Sequence, residues 1–177
     1  MAARRSDCPR TGARGRQNGS VAPGDLLIRH ATEADVSRLV ELLVLGSLSG
    51  VPRDEDPDDP APYRAALRQI EDAGGAVLVA ESGRTVVGVC QLIVFRHLQH
   101  RGALCAEIES VHVHPDHRGG GVGSALVRAA IDRARSMGCY RVQLTSNAAR
   151  TEAHRFYDGL GFVPSHVGFK LSLGDDG

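Results

Sequence analysis

Tryptophan is absent from this 177-residue chain and aromatic residues make up only 4% of it, so Ala, Val, Leu and Ile have to fill the core. Neither sign of charge is in excess. The 21 Lys and Arg stand against 21 Asp and Glu, which removes the electrostatic footprint of a nucleic-acid binder. Lysine itself is nearly missing, with Lys170 the sole one. Long apolar runs are missing too: Val86–Val94, broken by Gly88 and Gln91, falls far short of the roughly 20 residues that span a bilayer. No apolar stretch near the start has the length of about 7–15 residues that a secretory signal needs. Cys8, Cys90, Cys105 and Cys139 show no CxxC spacing. That argues against a zinc ribbon or a disulfide framework and for free thiols in a reducing cytoplasm. Collagen, membrane-spanning and wholly disordered classes are excluded, and a domain of about 150 residues buries roughly two-thirds of its unfolded surface without covalent staples.

What is present is unevenly placed. Residues 1–25 carry Arg4, Arg5, Arg10, Arg14 and Arg16 against Asp7 and Asp25, a balance of +3, among Gly, Ser and Pro. We expect a disordered basic leader over 1–25 and one domain over 26–177. Leu26–His30 reads as a strand, and Thr32 as a helix cap with Glu33 and Asp35 in the first turn. Val36, Leu39, Val40, Leu43 and Val44 then recur at helical spacing. Val51–Pro62 is a Pro- and Asp-rich loop that no regular element tolerates. Tyr63–Ala73 is a second helix, closed by Gly74-Gly75.

Strands are expected at Ala76–Glu81 and Thr85–Phe95, flanking the turn Ser82-Gly83-Arg84, and at Ala103–His114. A helix over Val122–Met137, a strand over Tyr140–Thr145 and a helix over Arg150–Leu160 follow. Phe162–Val163 and Val167–Leu173 read as closing strands. The order is mixed rather than strictly alternating, so the fold class is α+β around one sheet.

The most informative segment is Arg118-Gly119-Gly120-Gly121-Val122-Gly123-Ser124, between a strand and a long helix. Such a junction aims several backbone N–H groups at one spot with the helix dipole behind them, and glycines let a phosphate approach closely. A nucleoside-triphosphate loop needs a lysine that is not here, and the dinucleotide fingerprint fails at Ser124. The remaining pattern, Arg118-x-x-Gly121-x-Gly123, resembles the pyrophosphate loop of the GNAT acetyltransferases. A second stretch agrees: a strand ending toward Asn147, a helix carrying Ala153, Phe156 and Tyr157, then Gly161-Phe162, similar to the family's second signature. Ile28–Asp35 resembles its first strand and helix.

The resemblance implies a mixed, mostly antiparallel central sheet flanked by helices, acetyl-CoA as co-substrate, and a primary amine as acceptor. It implies cofactor contacts at Val111, Val113, Arg118, Gly119, Gly120, Gly121, Val122, Gly123, Ser124, Asn147 and Ala153, with Val111 and Val113 offering backbone groups to the pantetheine arm. Tyr157 would be the acid that protonates the departing thiolate. Glu107 and Glu109 alternate onto one face of their strand. Glu107 stands at the offset where the histone-acetylating branch places its base, and Glu109 is two residues nearer the loop. Which of the two is the base stays open. Homodimers are common in the family, although no feature here establishes one.

His112, His114 and His117 suggest a metal pair, yet the same stretch in the family only precedes the phosphate loop, and no metal is expected. His97, His100 and Arg101 precede the catalytic strand. With Glu107-Ile108 and Ala153-His154-Arg155-Phe156-Tyr157 they resemble the aminoalkylphosphonate N-acetyltransferase branch, which leaves substrate or metal roles open for the histidines. The acidic loop points instead to a cationic amine. The leading reading is therefore a small-molecule N-acetyltransferase that binds neither nucleic acid nor membrane. Acetylation of a protein or peptide, and a non-catalytic acyl-CoA-binding regulatory module, are the alternatives.

Overall fold

Five strands form one sheet in the order β1–β2–β3–β4–β5, with β1 at Leu26–His30, β2 at Ala76–Ser82, β3 at Thr85–Arg96, β4 at Leu104–Val113 and β5 at Val142–Leu144. Strands β1 to β4 pair antiparallel, and β5 joins β4 in parallel. The structure, a computed structural model, describes residues 26–46, 55–171 and 173. The basic leader, Cys8 and residues 47–54, which include the start of the acidic loop, lie outside the described residues. Helices α1 (Val36–Gly46), α2 (Ala61–Asp72), α3 (Val122–Ser136) and α4 (Thr151–Asp158) complete the order. The α+β class and the mostly antiparallel sheet are as expected.

Strand alternation explains the two cores. Leu78, Ala80, Leu92, Ala106 and Ile108 face α3, whose Val122, Leu126, Val127, Ala130 and Ala134 recur at helical spacing. Val77, Val79, Val86 and Val89 face the other way, against Val36, Leu39, Val40 and Leu42 of α1 and Leu67 of α2. Val86 and Val89 share a side despite their odd spacing because the pairing slips one residue between Ala80↔Gly88 and Glu81↔Val86. Strand β2 is buried on both faces, which accounts for its unbroken apolar run.

Thr32 opens the first helical segment, through a 3₁₀ turn at Glu33–Asp35 that leads into α1. Asp35 is 9% exposed. Its carboxylate accepts from the Thr32 N–H at 2.7 Å and hydroxyl at 2.9 Å, and from both terminal nitrogens of Arg29 at 2.8 and 2.9 Å. The Arg29 guanidinium holds this carboxyl down to about 2, and Asp35 with Glu81 raises the guanidinium in return. The network ties β1, β2 and the start of α1 together.

The closing strands are a correction: among the described residues nothing from Phe162 onward forms a strand. Phe162 packs against the α3-side core, but Val163, Val167, Phe169 and Leu171 are exposed. Alternation alone does not make a strand; it needs a partner edge and a face to bury against. Pro164 also removes a backbone donor. Strand β5 is likewise shorter than the predicted Tyr140–Thr145.

Candidate active site

The site is built where β4 and β5 part. Pairing between them covers only Ala106–Ile108 against Val142–Leu144. Beyond that point β4 runs on for five residues with β3 alone. Its register slips between Val89↔His112 and Gln91↔Glu109, where Ser110 takes φ 52°. A left-handed non-glycine residue is the mark of a bulge that re-aims the strand. The result is a wedge between parallel strands, with one edge of β4 free.

Backbone directions along that edge follow from one hydrogen bond. The His114 N–H donates to Val87 O at 2.8 Å, so the main-chain groups of His112 and His114 face β3. Those of Val111 and Val113 face the wedge. Val113 O accepts from Arg118 Nε at 3.1 Å. The strand edge and the glycine loop are thereby tied to one another.

The loop itself runs from a 3₁₀ turn at Pro115–His117 into α3. Gly119 and Gly121 take φ 77° and 83°, and a Cβ at either would meet no atom, so it is the left-handed backbone that selects glycine there. The first helical bond across the cap runs from the Ala125 N–H to Gly121 O at 3.0 Å. The N–H groups of Val122, Gly123 and Ser124 in the first turn therefore stay outside the helical ladder, as at any helix start. Arg118 and Gly119–Gly121 are exposed beside them. A diphosphate fits this cradle of donors, dipole and guanidinium.

Glu107 and Glu109 share the face of the sheet turned toward α2. Gln143 Nε2 of β5 donates to Glu107 Oε2 at 3.1 Å. Glu109 sits where β5 has ended, and its carboxyl is raised above the ordinary range by burial first and by Glu107 second. The register partners of the two carboxylates, Ile93 and Gln91, line a cleft with Ala66, Gln69 and Ile70 of α2. Tyr157 on α4 is half-buried, its ring against Phe156 at 5.0 Å and Phe162 at 5.9 Å. Burial raises its phenol, and Cys90 and Glu109 raise it further while Arg150 opposes them. The phenol therefore stays protonated at neutral pH.

Other expected residues have different surroundings. The Asn147 side chain accepts from the Ala149 N–H at 2.9 Å, turning the chain into α4, and Ala153 is half-buried on that helix. His112 is half-buried against Gly46, its imidazole pushed toward the neutral form by burial and Arg150, while His114 and His117 pack edge to face at 5.9 Å. Among the described residues no group of three His, Cys, Asp or Glu is arranged to hold a metal. Cys90, Cys105 and Cys139 are free, and burial pushes the Cys90 thiol up to about 12. No helix of the described residues is long and apolar enough to cross a membrane.

Sequence reading missed Gln143 and Arg150. Arg150 donates to Gly46 O at 2.7 Å, joining α4 to the end of α1. Only parallel register and a contact across 104 positions reveal them.

Known proteins share this fold. The profile of the Acetyltransferase (GNAT) family matches residues 36–162. The chain is 32% identical over 153 residues to glucosamine 6-phosphate N-acetyltransferase of Trypanosoma brucei brucei, covering 84% of this chain and 97% of that protein. It is 35% identical over 111 residues to aminoalkylphosphonate N-acetyltransferase of Salmonella typhimurium, covering 63% and 62% respectively. A solved Bacillus halodurans C-125 protein described as a transcriptional regulator superposes with TM-score 0.78 at 37% identity, over 84% of this chain and 99% of that one. The family profile spans more than half of the chain and the superposition shares its fold: the chain belongs to the GNAT family of acetyltransferases.

Proposed function

We propose that the protein transfers the acetyl group of acetyl-CoA to the primary amine of a small molecule by direct attack. The observation that carries this reading is the placement at the parting of β4 and β5 of two carboxylates, a half-buried phenol and the glycine-loop end of α3. Arg118, the Gly119–Gly121 turn and the free N–H groups of Val122, Gly123 and Ser124 would hold the pyrophosphate. The edge groups of Val111 and Val113 would pair with the pantetheine amides. The bound thioester supplies an activated acyl carbon.

Glu109 serves as base in this scheme. Its carboxyl is raised by burial and sits where β5 has ended, whereas Glu107 is engaged by Gln143. Glu109 takes one proton from the incoming ammonium, and the freed amine nitrogen attacks the thioester carbonyl carbon. The C–S bond then breaks, the departing thiolate takes the Tyr157 phenolic proton, and the nitrogen's second proton passes to the resulting phenolate, leaving an amide, free coenzyme A thiol and one proton on Glu109. Glu107 holds the incoming ammonium beside Glu109.

Support for a small acceptor comes from the two curated relatives, whose acceptors are an aminoalkylphosphonate and an amino sugar phosphate. The solved neighbour described as a transcriptional regulator supports one competing reading, a module that binds acyl-CoA without turnover. A thiol-release screen over amines, amino sugars, aminophosphonates and peptides decides between them. Acetyl-CoA-dependent thiol release with a small amine is the expected result. Thermal stabilisation by acetyl-CoA with no release across the panel would support the binding module, and release with peptides alone the protein modifier.

A further inference from the structure

Of the 21 Lys and Arg side chains all but Lys170 are arginine. A guanidinium stays protonated and is no nucleophile, whereas a lysine ammonium gives up a proton readily where a base faces it. The chain therefore owns a single side-chain primary amine, the group that acetyl transfer consumes. That amine lies by the carboxylate assigned as the base.

Its placement follows from the end of β5. The parallel register Glu107↔Gln143 and Ile108↔Leu144 sets Thr145, the first residue past β5, level with Glu109. The tail returns to this point. A Cβ on Gly168 would lie 3.9 Å from Thr145 Cγ2, and Lys170 follows two residues on. Burial first and Glu107 second push the Glu109 carboxyl up, while the Lys170 ammonium and a hydrogen bond from the Thr145 side chain oppose them. From α4 the Tyr157 phenol, raised mainly by burial, feels the Glu109 charge as well. Amine, base and acid gather about one carboxylate.

Little fastens the lysine where it stands. Lys170 is exposed, and among the described residues it takes part in no ion pair. Among the described residues no main-chain hydrogen bond holds 163–171 either, and Val163, Val167, Phe169 and Leu171 bury almost nothing. A segment with so few bonds and buried contacts shifts over the sheet at low cost. A small shift of the tail brings the amine from electrostatic reach of Glu109 into contact with it.

We propose that Lys170 is a self-modification site: the protein acetylates Lys170 Nζ in cis, from acetyl-CoA bound at its own glycine loop. The site rests on the acetyl transfer proposed above and gives it an acceptor within the chain. Glu109 takes one proton from the Lys170 ammonium, and the freed Nζ attacks the thioester carbonyl carbon. The C–S bond breaks and the thiolate takes the Tyr157 proton. The second nitrogen proton passes to the phenolate, leaving Nζ-acetyl-lysine, coenzyme A thiol and one proton on Glu109. Acetylation removes the positive charge that opposes burial at Glu109, so the modified protein holds this carboxyl higher still.

The full chain is incubated with acetyl-CoA, and peptide mapping by mass spectrometry follows Lys170. The expected result is one acetyl group there, gained at a rate per molecule that dilution of the protein leaves unchanged. The rate should fall about tenfold or more in E109Q, in Y157F and in wild type unfolded in urea. Active K170R mixed with E109Q or Y157F should leave Lys170 of the inactive partner unmodified. An unmodified Lys170 in the wild type overturns the site, and so does equal modification of the unfolded chain, which is chemical acetylation. A rate that falls on dilution, or transfer within the mixture, overturns modification in cis. Small-amine turnover with Lys170 unmodified defeats this site alone and leaves the acetyl-transfer reading standing. Modified Lys170 without small-amine turnover upholds the site and defeats the small-molecule acceptor.

Discussion

Gly46→Ala is expected to destabilise the protein, and its sign is what makes it informative. Gly46 is the last residue of α1. In a helix, replacing Gly by Ala ordinarily stabilises by about 0.5–1 kcal/mol, because glycine loses more backbone freedom on folding. Here a Cβ would fall 2.5 Å from Cε1 and 2.6 Å from Cγ of His112, and nearer still to Nδ1. The clash is with a half-buried ring on β4, not with the tip of a flexible side chain. Overpacking of that kind costs about 1–3 kcal/mol and outweighs the helix term. A net loss of about 1–2 kcal/mol follows, which for a domain of this size lowers Tm by roughly 3–6 °C. Denaturant unfolding of G46A, H112A and the double variant measures it. With the ring removed the Gly46→Ala change should become neutral or stabilising, a coupling of about 1 kcal/mol or more. A G46A protein as stable as the wild type would refute the reasoning, and with it the close approach of α1 to the wedge.

Three further outcomes follow from the site and its support. Glu109→Gln should lower kcat by about 10²-fold or more and abolish the acidic limb of the pH–kcat/KM profile, whose midpoint should lie above the ordinary carboxylate range because burial raises this group; survival of that limb in E109Q would transfer the role of base to another group. Tyr157→Phe should reduce kcat by about 10²-fold with little change in KM for acetyl-CoA, since the ring is kept and only the proton is lost; an unchanged kcat removes Tyr157 as the acid. The Asp35 carboxyl, held at about 2 in the folded chain against 3.8 when free, contributes about 2 kcal/mol that is fully present above pH 4 and lost as pH falls toward 2. Denaturant melts of wild type and Asp35→Asn across pH 2–6 should therefore converge at the acid end, and parallel curves would contradict the linkage.

The parts of the fold legible in the sequence are those whose causes are local. The Val122, Leu126 and Ala130 spacing, the Gly83 hairpin turn and the Gly119 and Gly121 loop each depend on torsion preferences or periodicity within a few residues. The site required more. Gln143 reaches Glu107 because β5 lies parallel to β4 in one register, and nothing near position 143 announces that pairing. The tail from Phe162 shows the converse error. Val167, Phe169 and Leu171 alternate as a strand should, yet they remain 79–92% exposed because three residues of β5 give them no bound edge. Periodicity reports what a segment is able to bury, while pairing decides whether it does. The same distinction governs the two glutamates: alternation puts both on one face, and only the end of β5 at Leu144 separates an engaged Glu107 from a desolvated Glu109. Extending β5 past Leu144 by pairing would close the wedge over Glu109, so the shortness of that strand is as much a part of the site as the residues it exposes.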